Sequence, residues 1–439
     1  MGSAVLAFGS LFLGLVRGPN TVELMVGQPI TQVEIRLDGR EVGKLQQAPW
    51  RLDVDLGPEL LPHLLEAVGR DDTGRQVASV QQRINLPRPP AEVEVLLRRD
   101  ASGAVTGARL KWQMSTRQRP RRIVAELDGA PMQVDPAGEV SWPPASAGAV
   151  HVFRVSLEFA EGVSASRDVA FGADLAEEAG NVLTGTVVRL RRGSAPSPAE
   201  MGRLVQVRGT PGRVVGVEEG SATIVIVADP QAHDAWWQVI GRVASKFRNR
   251  DDILVPGEDR VVAVSPAPII QRAGGSWVNE VFPVTNLDRV HADSLLRVFA
   301  TRPLPLVDAT QARLSKAVAV AGVVAAGGNQ RRIVLLILGA GAPASDDLDV
   351  ASARRYLRVL QVPLVVWSPI KTVARTAGNP WGEITNVSSI GDLYKADNAL
   401  QRELSHQRVV WIEGDHLPQE VSLTATAVDL RLAGEGGEE

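Results

Sequence analysis

The run Ala222-Thr223-Ile224-Val225-Ile226-Val227-Ala228 is apolar almost throughout and ends in Asp229. It reads as a buried central strand that delivers a carboxylate to the end of a sheet. His233 and Asp234 follow closely. Two carboxylates and an imidazole at this spacing can form a soft metal site or an acid–base pair. Two carboxylates and one histidine within six residues are not enough for either, and the solvated start of the helix at 235–248 is the expected reading. Asp346-Asp347-Leu348-Asp349 is a second acidic group. It lacks the spacing and glycine of a calcium loop, and acidic residues before a helix at Val350 meet the positive end of its dipole.

Gly339-Ala340-Gly341 follows a strand-like run and mimics the start of a dinucleotide motif. No proper third glycine follows, and the next strand ends in Trp367-Ser368-Pro369 where an acidic residue is needed. The sequence has no Gly-x-x-x-x-Gly-Lys, no Gly-x-Ser-x-Gly and no His-Glu-x-x-His. Phosphate-loop, serine-hydrolase and zinc-protease chemistry therefore find no support. With no cysteine, disulfides, zinc–thiolate sites, iron–sulfur clusters and cysteine nucleophiles are excluded.

The elements that must position these residues fall into three regions, as expected for 439 residues. A net charge of −3 argues against nucleic acid or an anionic membrane surface as the main partner. Ala4 to Val16 is mostly apolar, with no basic residue before it. It reads as a first strand or as the remnant of an export signal, and it is too short to span a bilayer comfortably. No other segment is long and apolar enough for a membrane helix, so no direct membrane span is expected.

The first region alternates like β-structure. Residues 21–26, 32–37, 50–56, 64–68 and 77–86 are strand-like, with turns at Asp38-Gly39 and Asp72-Thr73-Gly74. Short strands at regular spacing indicate a β-sandwich. Asp38-Gly39, Pro49-Trp50, His63 with Leu65 and Ala67, and Asp71 to Gly74 together resemble a bacterial immunoglobulin-like domain of the kind common in exported proteins. Pro87-Arg88-Pro89-Pro90 reads as a stiff linker. Strands at 91–98, 108–114, 122–127 and 150–159, with a second turn at Asp128-Gly129, make residues 90–173 a second immunoglobulin-like sandwich.

Beyond this, strands alternate with helical stretches, which is the sign of a parallel sheet with crossover helices. Strands are expected at 222–228, 260–264, 332–338, 362–367 and 409–412, and from Val421 to Leu432. Helices are expected at 235–248, 309–326, 350–360 (capped by Ser345) and 392–406. This order resembles a von Willebrand factor A (VWA) domain. "RRIVLLILGAGAPASDDLDVASARRYLRVLQVPLVVWS" and "LQRELSHQRVVWI" are similar to the VWFA-related domains of Acidobacteria and similar bacteria. The resemblance implies a metal-ion-dependent adhesion site built from Asp-x-Ser-x-Ser, a threonine of a second loop and an aspartate of a third. Asp229 keeps the first position, while Gln231 and His233 stand where serines belong. Thr310 can be the second-loop threonine, and Leu338 falls where the third carboxylate is missing. Gln231 and His233 are poor replacements for hydroxyls in a close octahedral site. A degenerate, metal-free site is the expectation, with Asp229 as a cap.

Trp237, Trp277 and Trp381 are candidate partner-binding residues, since exposed tryptophans anchor interfaces. The alternative is that each covers an edge of its own domain. The expected architecture is thus multidomain: sandwiches at 1–88 and 90–173, a degenerate VWA-like α/β domain at 182–432, and a disordered tail at 433–439. The expected role is a scaffold or protein–protein interaction role in the periplasm or outside the cell. Protein partners are expected, with no cofactor and no enzymatic activity. The alternatives are a magnesium- or calcium-dependent adhesin with atypical ligands, and a hydrolase of unknown type.

Overall fold

Alternating apolar residues between turn signals build the first sandwich from β1 (Leu6–Phe8), β2 (Pro19–Val26), β3 (Gln32–Leu37), β4 (Arg40–Leu45), β5 (Arg51–Asp55), β6 (His63–Arg70) and β7 (Gln76–Ile84). The computed structural model describes residues 6–435 apart from 11, 13, 88–90, 101–103, 115–118, 129, 145–150, 160–163, 172–182, 192–194, 245–258, 274–276, 288–294, 302–303, 306, 328 and 340–347. One sheet has the order β1-β2-β5 and the other β4-β3-β6-β7. Phe8, Val22, Leu24 and Val54 of the first sheet share a buried core with Val33, Ile35, Leu65, Ala67 and Ile84 of the second. β4 was not anticipated from the sequence. It is an edge strand with mostly exposed residues, so it lacks the alternation that a buried face imposes.

The second sandwich repeats this topology. It comprises β8 (Ala91–Arg99), β9 (Val105–Met114), β10 (Arg122–Leu127), β11 (Ala130–Met132), β12 (Glu139–Ser141), β13 (His151–Glu158) and β14 (Ser164–Phe171). Its sheets run β12-β9-β8 and β11-β10-β13-β14. One side-chain pair is repeated as well. Asp38 turns with φ 52° after β3 and Asp128 with φ 50° after β10. Asp38 Oδ2 lies 2.7 Å from His63 Nδ1, and Asp128 Oδ2 lies 2.7 Å from His151 Nδ1. Each pair ties a turn to the start of the strand that pairs with it. Two sequence segments with little identity therefore use one device at equivalent places.

The third region opens with β15 (Leu183–Leu190), α1 (Pro198–Leu204), β16 (Val205–Val207), β17 (Thr210–Pro211) and β18 (Val214–Glu218). Next come β19 (Ala222–Ala228), α2 (His233–Ala244), β20 (Arg260–Val264), the hairpin β21 (Ile269–Ala273) and β22 (Trp277–Val281), and β23 (Val284–Asn286). The chain continues through α3 (Leu295–Thr301), α4 (Leu314–Ala326), β24 (Arg331–Ile337), α5 (Val350–Val359), β25 (Leu364–Ser368), α6 (Lys371–Ala374) and β26 (Ile384–Asn386). It closes with α7 (Ile390–Ser405), β27 (Gln407–Glu413), β28 (Val421–Leu423) and β29 (Leu430–Leu432).

The central sheet has the order β23-β20-β19-β24-β25-β26. All its pairings are parallel except that of β20 with the edge strand β23. β19 and β24 are buried on both faces. One face packs Trp236 and Ile240 of α2, Phe299 of α3 and Leu393 of α7. The other packs Val318 and Ala321 of α4 and Tyr356 of α5. Helices on both faces explain why these strands read as continuous apolar runs.

Some expected boundaries are corrected. Residues 309–311 form a separate 3-10 turn before α4. The α5 cap is Asp349, whose side chain accepts from Ser352 N at 2.7 Å; Ser345 lies outside the described residues. Residues 421–432 are two short strands. β29 and β27 join β15 and β18 in a second sheet, β18-β27-β15-β29. The expected tail at 433–439 begins with structured residues: Ala433 is buried, and a Cβ on Gly434 would lie 2.7 Å from the Arg358 carbonyl oxygen. Residues 436–439 lie outside the described set.

The chain forms two compact units. One joins residues up to Pro87 with Gly185–Trp411 and His416 onward, and the other holds Arg88–Thr184 with Ile412–Asp415. The first sandwich therefore shares a unit with the α/β region. Leu60 is buried in the same cluster as Leu314 and Val318. The Tyr356 hydroxyl donates to the Asn85 carbonyl, and Asn85 Nδ2 donates to the carbonyls of Val16 and Leu61, at 2.7 Å each. Arg332, the buried basic start of β24, donates to the carbonyls of Gln361 at 3.3 Å and Ala326 at 3.4 Å. Burial lowers its pKa to about 10. The carbonyl ends of α4 and α5 thus stand in for a carboxylate partner.

Candidate functional site

Counted in chain order within the central sheet, the strands run 3-2-1-4-5-6, so the order reverses between β19 and β24. Ligand crevices of open α/β sheets form at the carboxyl ends of the strands at such a point. Asp229 ends β19 there. Its backbone N–H donates to the Ile337 carbonyl at 2.8 Å. Its side chain is nearly buried, with 7% exposure. Oδ1 accepts from Gln231 N at 3.0 Å, and Oδ2 accepts from Gly339 N at 3.0 Å. Burial raises the carboxyl pKa above its ordinary value, and the two backbone N–H groups partly offset this.

Gly339 decides how the two loops meet. A Cβ on it would lie 2.6 Å from Ala232 N and 2.6 Å from the Gln231 carbonyl carbon. Only a residue without a side chain lets the loop after β24 approach this backbone. In the sequence Gly339 reads as part of a dinucleotide-like signal and as the glycine that follows Leu338 at the third-loop position. A glycine directly after a core strand, opposite a strand-terminal aspartate, was the usable sign.

The remaining expected site residues are distributed as follows. Leu338 is buried on the α4–α5 side of the sheet, and its N–H donates to the Trp367 carbonyl at 2.8 Å. Thr310 Oγ1 donates to Asp308 Oδ1 at 2.8 Å rather than to Asp229, and backbone and hydroxyl donation from Thr310 holds the Asp308 carboxyl below its usual pKa. The loop carrying Thr310 is tied to the segment after β20 by Arg313 N donating to the Pro266 carbonyl at 2.7 Å. Gln231 is exposed. His233 opens α2, and its Nε2 accepts from Trp237 Nε1 at 2.8 Å. The other ring nitrogen, Nδ1, lies 3.1 Å from Asp234 Oδ1. In the neutral ring the proton therefore sits on Nδ1. Among the described residues no group of three or more His, Cys, Asp and Glu residues is placed to hold a metal.

The tryptophans are corrected in part. Trp381 is not an exposed anchor: it is 4% exposed and belongs to the α4–α5 core. The turn around it, fixed by Asn379 Oδ1 accepting from Trp381 N at 2.9 Å, folds the ring inward. Trp277 lies in strand β22, not in a loop. Trp237 is half-buried against the core that contains Trp236. Ala228, Asp229, Ala232, His233, Trp237, Leu304 and Pro305 are among the residues that line a narrow crevice at this end of the sheet.

No protein-family model matches the chain, and no curated protein matches it. Among solved structures, the chain is similar to fibronectin(III)-like modules of Clostridium thermocellum CbhA, with 14% identity, 18% of this chain and 93% of that one covered, and a TM-score of 0.17. It is also similar to the central fibronectin-III array of RIM-binding protein, with 11% identity, 46% and 82% coverage, and a TM-score of 0.24. A third similar structure is a β-glucuronidase of Parabacteroides merdae, with 11% identity, 39% and 25% coverage, and a TM-score of 0.16. These structures are fibronectin-III-like in part and enzymes in part, and none is a VWA domain. The expectation that the chain is not an enzyme is therefore corrected, because glycoside hydrolases stand among the similar structures. The chain spans about a quarter of that β-glucuronidase, and the likeness assigns no reaction to it.

Proposed function

We propose that this chain is a protein-interaction or scaffold protein, with two immunoglobulin-like modules and a VWA-like α/β domain that engages its partner without a bridging metal ion. The observation that carries this reading is the closed geometry at Asp229. Its two oxygens accept backbone N–H groups from Gln231 and Gly339, the His233 ring accepts from Trp237, and the Thr310 hydroxyl donates to Asp308. An octahedral magnesium site needs several close oxygen ligands, and Gln231, His233 and Leu338 do not supply them. The 3-2-1-4-5-6 strand order with an antiparallel edge strand supports the VWA-like assignment. A periplasmic or secreted location belongs to the same proposal, and cell fractionation with an antibody against the chain tests it.

The function is tested by immobilising the full chain, capturing proteins from its native lysate, and measuring the affinity of each captured protein in magnesium and in EDTA. Equal affinity in both supports the reading. A partner that binds only with magnesium or calcium refutes it in favour of a cation-dependent adhesin.

A further inference from the structure

The crevice beside Asp229 joins features that the closed metal geometry does not use. Its walls are mostly apolar, with Trp236, Trp237, Leu304, Pro305 and Ile337 around one carboxylate. Among the described residues Asp229 forms no ion pair with Lys, Arg or His. An ionised carboxyl buried without a cation is costly, and here burial raises its pKa. Each Asp229 oxygen accepts one backbone N–H, and an ionised carboxylate has about four acceptor sites. Acceptor capacity therefore remains on both oxygens.

The aromatic side of the crevice favours the same ligand. The Trp237 N–H is occupied by His233 Nε2 at 2.8 Å, so the indole, which lines the crevice, does not offer that N–H to a ligand. The face of an indole attracts cations. His233 Nε2 is occupied by the same bond and does not compete for a ligand proton. Asp234, next to His233, is exposed and adds negative charge outside. An anion is disfavoured by both carboxylates. The space admits the centre of one water-sized group, about 10 Å³, which is room for about one such group. An ammonium is a compact point charge with three donors, whereas a guanidinium is a wide planar fork.

We propose that this crevice binds a primary ammonium group, the tip of a lysine of the partner protein, between the Asp229 carboxylate and the Trp237 ring. The lysine takes the place that a metal ion holds in a cation-dependent site: it neutralises the buried carboxylate and links it to the partner. That the ammonium belongs to a protein rests on the interaction reading above. The ammonium site itself does not.

The test uses the full chain labelled with 5-fluorotryptophan and followed by fluorine NMR. Trp237→Phe and Trp236→Phe assign two of the nine tryptophan signals. The probes are n-butylammonium chloride, the uncharged n-butanol, n-butylguanidinium and magnesium chloride. The expected result is a saturable shift of the Trp236 and Trp237 signals with n-butylammonium. n-Butanol and n-butylguanidinium should bind at least about tenfold more weakly, the first because it lacks the charge and the second because its planar fork is too wide for this space. Asp229→Asn should weaken n-butylammonium by about tenfold or more. The comparison with n-butanol carries the charge requirement even if that variant fails to fold. Absence of a saturable shift, an equal response to n-butanol, or a response to magnesium instead would overturn the proposal. For a captured partner, n-butylammonium should release it competitively. A normal shift without release would keep the ammonium site and overturn its assignment to the partner's lysine.

Discussion

Gly339→Ala is the sharpest test of how the top of the sheet is held. The added Cβ would stand 2.6 Å from Ala232 N and the Gln231 carbonyl carbon. These are backbone atoms of the 3-10 turn (Pro230–Ala232) that leads into α2 and cannot swing aside as a side-chain tip can. The two loops must separate, and the 3.0 Å bond from Gly339 N to Asp229 Oδ2 must lengthen. Overpacking of this kind costs about 1–3 kcal/mol. Weakening a hydrogen bond to a charged group costs about 1.5–3 kcal/mol. The two share one displacement and do not add fully, so a local loss of about 2–4 kcal/mol is expected. Because two compact units can unfold in separate steps, the assay is hydrogen exchange by mass spectrometry on peptides covering β19 and α2. Protection there should fall by about thirtyfold or more, the equivalent of about 2 kcal/mol. Gly241→Ala is the control: nothing lies within 4 Å of its added Cβ, and an alanine in a helix should gain about 0.5–1 kcal/mol. Protection in Gly339→Ala equal to the parent chain would refute the argument that close backbone approach closes this site.

Other consequences follow from the same geometry. Trp381→Ala should cost about 3–5 kcal/mol, seen as a lower denaturant midpoint, because the ring is core; a partner-binding loss with unchanged stability would contradict its burial. Tyr356→Phe removes a buried hydroxyl from the Asn85 carbonyl and should cost about 1–3 kcal/mol, measured by urea unfolding. The raised pKa of Asp229 means that the folded chain holds its proton to higher pH than the unfolded chain. Stability from this group is therefore greatest below its unfolded pKa and falls as pH rises through its folded pKa. Asp229→Asn should remove that downward contribution, read as a smaller loss of melting temperature between acid and neutral pH. Asp38→Ala should leave the buried His63 Nδ1 without its 2.7 Å partner and lower stability by about 1–3 kcal/mol, measured by thermal unfolding.

The legible elements are those whose burial leaves a mark in residue order. β19 and β24 are buried on both faces, so their apolar runs announced a doubly covered sheet. β3 buries residues against the core of the first sandwich, and its segment alternates in the sequence. Asp38-Gly39 and Asp128-Gly129 marked turns because the conformation after β3 and β10 needs a positive φ. Edge strands such as β4 have little buried face, so composition hid them.

What the sequence alone determined is the kind of each layer and the place of Asp229 at the end of a buried strand. Both depend on local periodicity, which residues a few positions apart carry by themselves. Tertiary structure decided what Asp229 meets. The Gly339 N–H lies 110 residues away, and the turn that buries Trp381 depends on contacts with α4 and α5. The partnership of Asp38 with His63 spans 25 residues and was likewise invisible as a pair. Such meetings are set by how strands are ordered in a sheet and how helices pack on it, and no local window of residues contains that information.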